Sequence, residues 1–344
     1  MGVSCTPGTR PDTGSEAVHS KRFFSDSSFW NIPLPENPEI DPRSDHFISL
    51  LKSEPSGNNF GLNCQQWTVP VYEVDSTTPT YDVGYHFLTD QEKETWLTDR
   101  ERFGHGPGFG KSVPIPEGAV PDPEEDSHFS VIDWDQMVAW DMWGLHHHED
   151  GSWSSKTGMK YRLDGEGVFH TEDFDIVNGE SVHFHGPSRA AGVPAIAGLI
   201  MYDEVKSGTI HHKLSCATRF NARQEFVYPA TWTDGFIEGG IPEGAVIQLD
   251  PGLDLDQFNL LPGEKVVARA LQQYGMVVVD IAGGSPIYAE GLFGDPKRSW
   301  EGILRAWDGG INEIPLDHYR VLKLTETIKK GDARWHNQDP FQVN

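Results

Sequence analysis

Apolar and polar positions alternate most clearly between residues 129 and 145, which read FSVIDWDQMVAWDMWGL. One parity carries apolar side chains: Ile132, Trp134, Val138, Trp140 and Met142. The other parity carries acids and one tryptophan: Asp133, Asp135, Asp141 and Trp143. Such period-two alternation is typical of strands with one face in a core and the other in solvent. A turn near Gln136 divides the stretch, so the pattern predicts a β-hairpin with an exposed acidic face.

Shorter apolar stretches between turn residues predict further strands at 67–74, 85–88, 152–162, 181–185, 211–220, 225–229, 245–249, 276–281 and 286–289. Helical spacing of apolar residues predicts three short helices, at 41–52, 202–207 and 262–274. Thirty-six glycines and 24 prolines are spread along the chain, as in folds with many turns. The predicted fold is therefore mainly β, a β-sandwich or jelly roll with a few peripheral short helices.

The chain of 344 residues is long enough to bury one large core. We expect a flexible leader over residues 1–20, a single β-rich domain of catalytic type over 21–336 and a loose tail over 337–344. Internal repeats with a period of about 20 to 50 residues are absent from the sequence, which disfavours a propeller or a solenoid. Three cysteines are too few for a disulfide framework. A Cys5–Cys64 bridge stays open, and Cys216 is expected to be a buried free thiol.

The net charge of the chain disfavours several classes of binding partner. The 27 basic and 52 acidic residues leave a formal net charge of −25 at pH 7. A surface this negative argues against nucleic acid and anionic membranes, and it disfavours polyanionic substrates. The longest mostly apolar run, residues 192–202, is about half of the roughly 20 residues that a membrane-spanning helix needs.

The first residues of the chain are compatible with two cellular locations. They are rich in serine, proline and glycine and lack the pattern of a signal peptide. They fit a mature secreted chain, and a cytosolic chain with an irregular start is the alternative. We expect a secreted, extracellular monomer.

Paired carboxylates are the first candidate for chemistry. Asp133 and Asp135 lie two positions apart, so on a strand they point the same way, about 6.5 Å apart. Asp141 repeats their parity on the next strand. Two carboxyl groups cleave a glycosidic bond when one protonates the leaving oxygen and the other acts as nucleophile or base. Trp143 and Trp153 are candidates for stacking on sugar rings, while a solvated strand face is the simpler interpretation of the acids.

Histidines suggest a second kind of site. His183 and His185 share one strand face, as two metal ligands would, and Asp126 and His128 have the same spacing. A Ca²⁺ or Zn²⁺ site that includes Asp126, His183 and His185 is therefore a candidate, although none of these spacings is specific to a metal.

A third set of residues fits a polysaccharide lyase. Such an enzyme neutralises a uronate carboxylate, removes the C5 proton and protonates the leaving oxygen. Arginines, histidines and tyrosines supply these functions. The candidates are Arg189 and Arg219 for neutralisation, His128 or His212 as the base, and Tyr202 or Tyr228 as base or acid.

Several stretches resemble a widespread group of secreted microbial proteins that are mostly uncharacterised. The segments that carry the resemblance are FFSDSSFWNIPLP (23–35), VPIPEGAVPDPEEDSHFSVID (113–133), AAGVPAIAGLIMYDEVKSGTIHHKL (190–214), FVYPATWTDG (226–235) and ARALQQYGMVVVD (268–280). The resemblance implies an extracellular protein with a β-rich fold, and it implies no assigned activity. It directs attention to polar residues within those segments: Asp126, His128, Asp133, His212 and Asp280.

Together these patterns predict a secreted enzyme that cleaves glycosidic bonds of a polysaccharide or oligosaccharide. Hydrolysis by the paired aspartates is favoured over elimination, because a net charge of −25 repels polyuronates. The alternatives are the lyase, a glycan-binding module without catalysis, and a metal-dependent enzyme of another class.

Overall fold

The computed structural model describes residues 21–85, 105–106, 109–169, 176–177, 180–181 and 188–329. Within these ranges the protein is mainly β with a few short peripheral helices, as predicted. The α-helices are α1 (Ser44–Lys52), α2 (Tyr202–Ser207) and α3 (Pro262–Gln273). The strands are β1 (Gly61–Asn63), β2 (Val71–Val74), β3 (Thr80–Tyr81), β4 (Val83–Tyr85), β5 (Val113–Pro114), β6 (Phe129–Asp133), β7 (Val138–Trp143), β8 (His146–His147), β9 (Trp153–Ser155), β10 (Thr157–Arg162), β11 (Ile176–Val177), β12 (Glu180–Ser181), β13 (Leu214–Ala217), β14 (Asn221–Phe226), β15 (Ile241–Glu243), β16 (Val246–Leu249), β17 (Met276–Asp280), β18 (Pro286–Tyr288), β19 (Tyr319–Val321) and β20 (Ile328–Lys329).

A mixed six-stranded sheet lies at the centre of the fold, in the order β1-β18-β13-β17-β16-β19. β1 runs parallel to β18, and β13 runs parallel to β17, while β13 and β18 are antiparallel. β17 reads MVVVD, and its four apolar residues are buried on alternating faces of the sheet. A strand covered on both faces has a continuous apolar run instead of an alternating one. That run ends at Asp280, the last residue of β17.

Helices α1 and α3 cover one face of this sheet. Phe47 and Leu51 of α1 and Val267 and Leu271 of α3 belong to the same buried cluster as Val278 of β17. α3 begins with Pro262, whose fixed φ suits the first turn of a helix. The Glu264 carboxylate accepts a hydrogen bond from the backbone N–H of Leu261 at 2.7 Å, which caps the helix start.

A four-stranded sheet, in the order β10-β7-β6-β2, packs against the other face of the central sheet. Val277 and Val279 of β17 share a buried cluster with Ile132 of β6 and Ala139 of β7. The apolar segment 191–199 fills the space between them. A third cluster, which includes Phe129 and Trp140, covers the outer face of the four-stranded sheet. The fold therefore has successive layers, with helices, a mixed sheet and a second sheet in that order.

The hairpin around Gln136 is confirmed, but its predicted exposed acidic face is wrong. β6 and β7 are antiparallel and pair Ser130 with Asp141 and Ile132 with Ala139. Residues 134–137 form a turn, which breaks the parity that the alternation assumed. Asp141 therefore lies on the face that packs against the central sheet, where it is 1% exposed.

Asp133 and Asp135 also differ from the prediction that they share one strand face. Asp133 ends β6, is buried, and accepts hydrogen bonds from the backbone N–H and the side-chain amide of Gln136, at 2.8 and 2.5 Å. Asp135 lies in the exposed turn beyond the strand. Asp133 therefore stabilises the turn, which is a common use of a short acidic side chain.

The predictions for the cysteines and for membrane-spanning helices can also be compared with the structure. Cys64 and Cys216 are both buried free thiols, and burial raises the pKa of Cys64 to about 12, so the Cys64 thiol stays protonated; Cys5 lies outside the described residues. In the part of the chain that the structure describes, the helices are too short or too polar to cross a bilayer.

Candidate functional site

A cleft of about 600 Å³ lies beside the end of β17. Two carboxyl groups line it, those of Asp126 and Asp280, together with the phenol ring of Tyr288. Trp67 and Trp307 form aromatic parts of its wall. This volume is within the range of about 300 to 1,000 Å³ that is typical of small-molecule pockets. Acids, aromatic rings and amide groups thus converge on one concave surface.

Asp280 is held rigidly at the end of β17. Its backbone carbonyl accepts a hydrogen bond from the Asn221 side-chain amide at 2.8 Å. Its carboxylate accepts one from the backbone N–H of Ile281 at 3.0 Å. Only 21% of the side chain is exposed. Burial, helped by the negative charges of Asp234 and Asp126 and opposed by the positive charge of Arg189, raises the pKa of Asp280 to about 8. At neutral pH the carboxyl group is therefore mostly protonated.

Asp126 reaches the cleft from the turn that precedes β6. The backbone of Ser127 has φ +41°, an unusual conformation for a residue with a side chain. This bend separates Asp126 from the buried His128, and backbone strain of this kind is frequent at functional sites. The backbone N–H of Gly144 donates to the Asp126 carbonyl at 2.8 Å. The Trp143 indole N–H donates to the Asp126 carboxylate at 3.1 Å, which orients it.

Arg189 lies beneath the cleft and is 2% exposed. Its Nη1 atom is 3.7 Å from the Asp280 carboxylate, and its Cζ atom lies 3.9 Å from the centre of the Tyr288 ring. The segment that carries Arg189 is attached to β17, because the backbone N–H of Ala191 donates to the Val279 carbonyl at 3.0 Å. The guanidinium group is thus fixed against both an acid and an aromatic ring of the cleft.

The pKa values of two neighbours of Arg189 differ from their ordinary values. Burial raises the pKa of Tyr288 well above its ordinary value, so its phenol keeps its proton. Burial and the charge of Arg189 lower the pKa of His128 to about 3, which leaves the imidazole neutral and a weak base. His128 lies close to the site, as the sequence suggested, but its chemistry does not favour the role of general base.

Asn63 connects the two tryptophans of the wall. Its side-chain amide donates to the Trp67 carbonyl at 3.1 Å, and its side-chain oxygen accepts from the Trp307 indole N–H at 3.3 Å. Gly61 lies against the Trp307 ring, since a Cβ atom there would be 2.3 Å from the ring carbon Cε3. Trp67 has a backbone φ of +54°, a second strained position at the cleft. The aromatic wall is therefore preorganised.

The predicted catalytic residues do not meet in one groove. Asp133 and Asp135 lie at the hairpin turn, and Asp141 is in the interior between the two sheets. The His212 ring is hydrogen-bonded to the Glu204 carboxylate at 3.0 Å and to the Lys213 carbonyl at 2.8 Å. Tyr202 is the first residue of α2, where its ring contacts Trp300.

The predicted binding and metal residues are divided in the same way. Arg189 and Trp143 contact acids of the cleft, and Arg219 donates to the carbonyl of Gly283 on the cleft wall at 2.7 Å. Trp153 stacks on His147, and the exposed Tyr228 contacts Phe29. His183 and His185 lie outside the described residues. Among the residues that the structure describes, none of the acids, histidines and cysteines form a group of three able to hold a metal ion.

The sequence points to part of this cleft. Asp126 and Asp280 stand out as polar residues within the resembling segments, while Trp67, Tyr288 and Trp307 are missed. A local signal for Asp280 exists. This acid ends an apolar run that is typical of a buried strand, and the glycine-rich loop IAGGS follows it. Ligands often bind beyond the carboxyl ends of such strands. For Trp307 the sequence holds no such signal, since its position depends on Gly61 and Asn63, more than 240 residues away.

Comparisons of the chain with protein-family models, with curated proteins and with solved structures found no match. What the cleft does must therefore be argued from its own geometry and chemistry.

Proposed function

We propose that this protein is a glycoside hydrolase that cleaves a neutral polysaccharide or oligosaccharide in the cleft. Asp280 is the general acid, and Asp126 is the base or nucleophile. One observation carries the proposal: a carboxyl group with a pKa of about 8 and a second carboxylate line the same cleft. This replaces the predicted pair in the hairpin with a pair formed by two distant segments.

The chemistry needs two carboxyl groups in different protonation states. Asp280, protonated at neutral pH, gives its proton to the oxygen of the leaving sugar. Asp126 then either attacks the anomeric carbon or removes a proton from the attacking water. Arg189 stays beside Asp280 and stabilises the carboxylate that remains after proton transfer.

The wall of the cleft suits an uncharged sugar chain. Trp67 and Trp307 offer faces on which sugar rings stack. Asn58, Asn63 and Gln66 also line the cleft and supply amide groups for hydroxyl groups. Because the Asp126 carboxylate and the overall charge of −25 repel acidic sugars, neutral glycans are the preferred class. Secretion, extracellular action and a monomeric state fit such a substrate and belong to the proposal.

A polysaccharide lyase is the second candidate, and a specific observation favours it. Arg219 contacts the wall at Gly283 and its side chain is 38% exposed, so one arginine that could neutralise a uronate lies beside the cleft. Elimination leaves an unsaturated sugar that absorbs ultraviolet light, and hydrolysis does not.

The decisive experiment is an activity screen with purified protein. Neutral glucans, mannans, xylans and galactans are incubated beside polyuronates, and both reducing ends and ultraviolet absorbance are followed. New reducing ends without new absorbance from a neutral glycan support the hydrolase. New absorbance from a polyuronate supports the lyase, and binding without turnover supports a glycan-binding module; either result contradicts the proposal.

The pH dependence of activity follows from the Asp280 assignment. A general acid works only while protonated, so kcat/KM should fall as the pH rises through about 8, the pKa of Asp280. A rate profile measured on the screened substrate across the acid and alkaline range checks this. A profile with no alkaline limb contradicts the assignment of Asp280 as acid.

A test of the aromatic wall uses Gly61. In Gly61→Ala the new methyl group displaces the Trp307 ring, because no Cβ atom fits at 2.3 Å from Cε3. We expect KM to rise about fivefold with a smaller change in kcat, since a stacking contact is worth about 1 kcal/mol. Gly252→Ala is the matched control, because a Cβ atom there is 3.5 Å from its nearest neighbour, the carboxylate of Asp250. Equal effects of the two substitutions would refute the role of the wall.

A further inference from the structure

A second pair of acids lies behind Asp280. Glu243 ends β15, and Asp234 lies in the segment between β14 and β15. That segment comes close to β14 because residue 235 is glycine; a Cβ atom there would be 2.0 Å from the Ala222 carbonyl oxygen. Glu243 is fully buried, in contact with Asp234. Two carboxyl groups are thus placed side by side, one fully buried and the other partly exposed.

The hydrogen bonds of this pair are incomplete unless it holds a proton. Oε1 of Glu243 accepts from the Asn221 side-chain amide at 2.7 Å. Oε2 of Glu243 and Oδ1 of Asp234 are buried, and among the described residues neither has a donor. Because two ionised carboxylates repel and cannot bond, one proton between these oxygens is the arrangement that satisfies both. Burial and Asp234 raise the pKa of Glu243 well above its ordinary value, in agreement with this.

Asn221 links the pair to the proposed acid. The same Asn221 amide that donates to Glu243 also donates to the backbone carbonyl of Asp280, at 2.8 Å. Around the Asp280 carboxyl group, Asp234 and Asp126 contribute negative charge and Arg189 contributes positive charge. Tyr288 and His128, the other titratable groups of the cluster, are neutral near pH 7. Of the two negative groups, only Asp126 lines the cleft.

We propose that Asp234 and Glu243 share one proton and act as positioning residues, whose single negative charge keeps Asp280 protonated as the acid of the reaction. The inference rests on the proposed function for the role of Asp280. It adds that the proton of Asp280 depends on a carboxyl pair that is not part of the cleft wall. Neither residue of the pair contacts substrate in this scheme.

Two variants separate one shared proton from two ionised groups. Glu243→Gln keeps an acceptor for Asn221 and a donor for Asp234, so the charge of the pair stays the same. The double variant Asp234→Asn with Glu243→Gln removes that charge. We expect no shift of the Asp280 titration in the single variant, and a shift of about one pH unit to lower pH in the double variant.

The titration of Asp280 is read from its carboxyl ¹³C resonance in the full-length protein, which needs no substrate. The alkaline limb of the kcat/KM profile should move by the same amount. A shift in the single variant, or none in the double variant, overturns the proposal. If Asp280 titrates with a raised pKa that falls in the double variant, but the protein cleaves no glycan, this inference stands and the proposed function is refuted.

A second measurement tests the shared proton without the double variant, in case that variant does not fold. Well above pH 8, where Asp280 is mostly ionised, infrared spectra of the wild type should show the C=O band of a protonated carboxylic acid that is missing in Glu243→Gln. An unchanged band in that single variant contradicts the shared proton.

Discussion

Asp280→Asn should abolish glycan hydrolysis and, at the same time, make the folded protein more stable at pH 8. The loss of activity follows because asparagine cannot give a proton to the leaving oxygen. Removal of a general acid typically costs a factor of about 10² to 10⁴ in rate. Asparagine has nearly the same shape as aspartate and keeps an oxygen that can accept from the Ile281 N–H, so the local fold is retained.

The gain in stability follows from the direction of the pKa shift. In the unfolded chain the carboxyl group ionises near its ordinary pKa of 3.8, whereas in the folded protein it ionises near 8. The folded state therefore binds more protons between these values, and the free energy of unfolding falls as the pH rises from about 4 to about 8. Asparagine does not ionise, so the free energy of unfolding of the variant does not fall in this way. We expect the variant to be more stable than the wild type by about 2 to 5 kcal/mol at pH 8 and by far less at pH 4.

Urea unfolding at pH 4, 6 and 8 measures the stability, and the reducing-end assay measures activity. Asp45→Asn, on the exposed side of α1, is the matched control and should change neither. If Asp133→Asn or Asp135→Asn abolished activity and Asp280→Asn did not, the acids of the hairpin would be the catalytic pair. A variant that is equally stable at pH 8 would show that Asp280 does not have a raised pKa.

Asp141→Ala should produce the largest loss of stability. The Asp141 carboxylate is buried between the sheets and accepts four hydrogen bonds, from the Ser130, Tyr161 and Ser188 hydroxyl groups and the Ala195 backbone N–H, at 2.6 to 2.9 Å. Alanine leaves four buried donors without an acceptor. Because each such donor costs about 1 to 3 kcal/mol, we expect a loss of at least about 3 kcal/mol.

Ser188→Ala is the matched control for this prediction. It removes one donor and leaves three on Asp141, so we expect a loss of about 1 kcal/mol. Urea unfolding at pH 7 compares the two variants. A loss below about 1 kcal/mol in Asp141→Ala would mean that the network is unimportant for stability. Both Ser188 and Ala195 flank the segment of Arg189, so the alanine variant should also weaken catalysis.

Local patterns predict much of the secondary structure. The helix at 202–207 is observed with the same bounds, and the helix at 262–274 ends one residue earlier than expected. The strands at 245–249, 276–281 and 286–289 are each confirmed to within one residue at either end. Such elements are predictable because apolar spacing, prolines and glycines act over a few residues.

The site is harder to predict, because the sequence pattern does not say which face of a strand meets another layer. The parity of β6 and β7 suggests that Asp133, Asp135 and Asp141 share a solvated face. Instead, the turn at 134–137 separates them. Asp135 stays exposed in the turn, and Asp141 lies on the face that packs against the central sheet, where it accepts hydrogen bonds instead of contacting a sugar. Asp126 and Asp280 are visible in the sequence as polar residues in apolar surroundings, but their meeting in one cleft is not.

By itself, the sequence determined a mainly β chain with few helices, a strongly negative charge and an acid at the end of the apolar strand 276–280, since these depend on composition and short-range spacing. The tertiary structure alone decided which acids lose contact with water. Burial and neighbouring charges set the protonation of a carboxyl group, and at Asp280 they come from Asp126, Arg189 and Asp234, between 46 and 154 positions away along the chain.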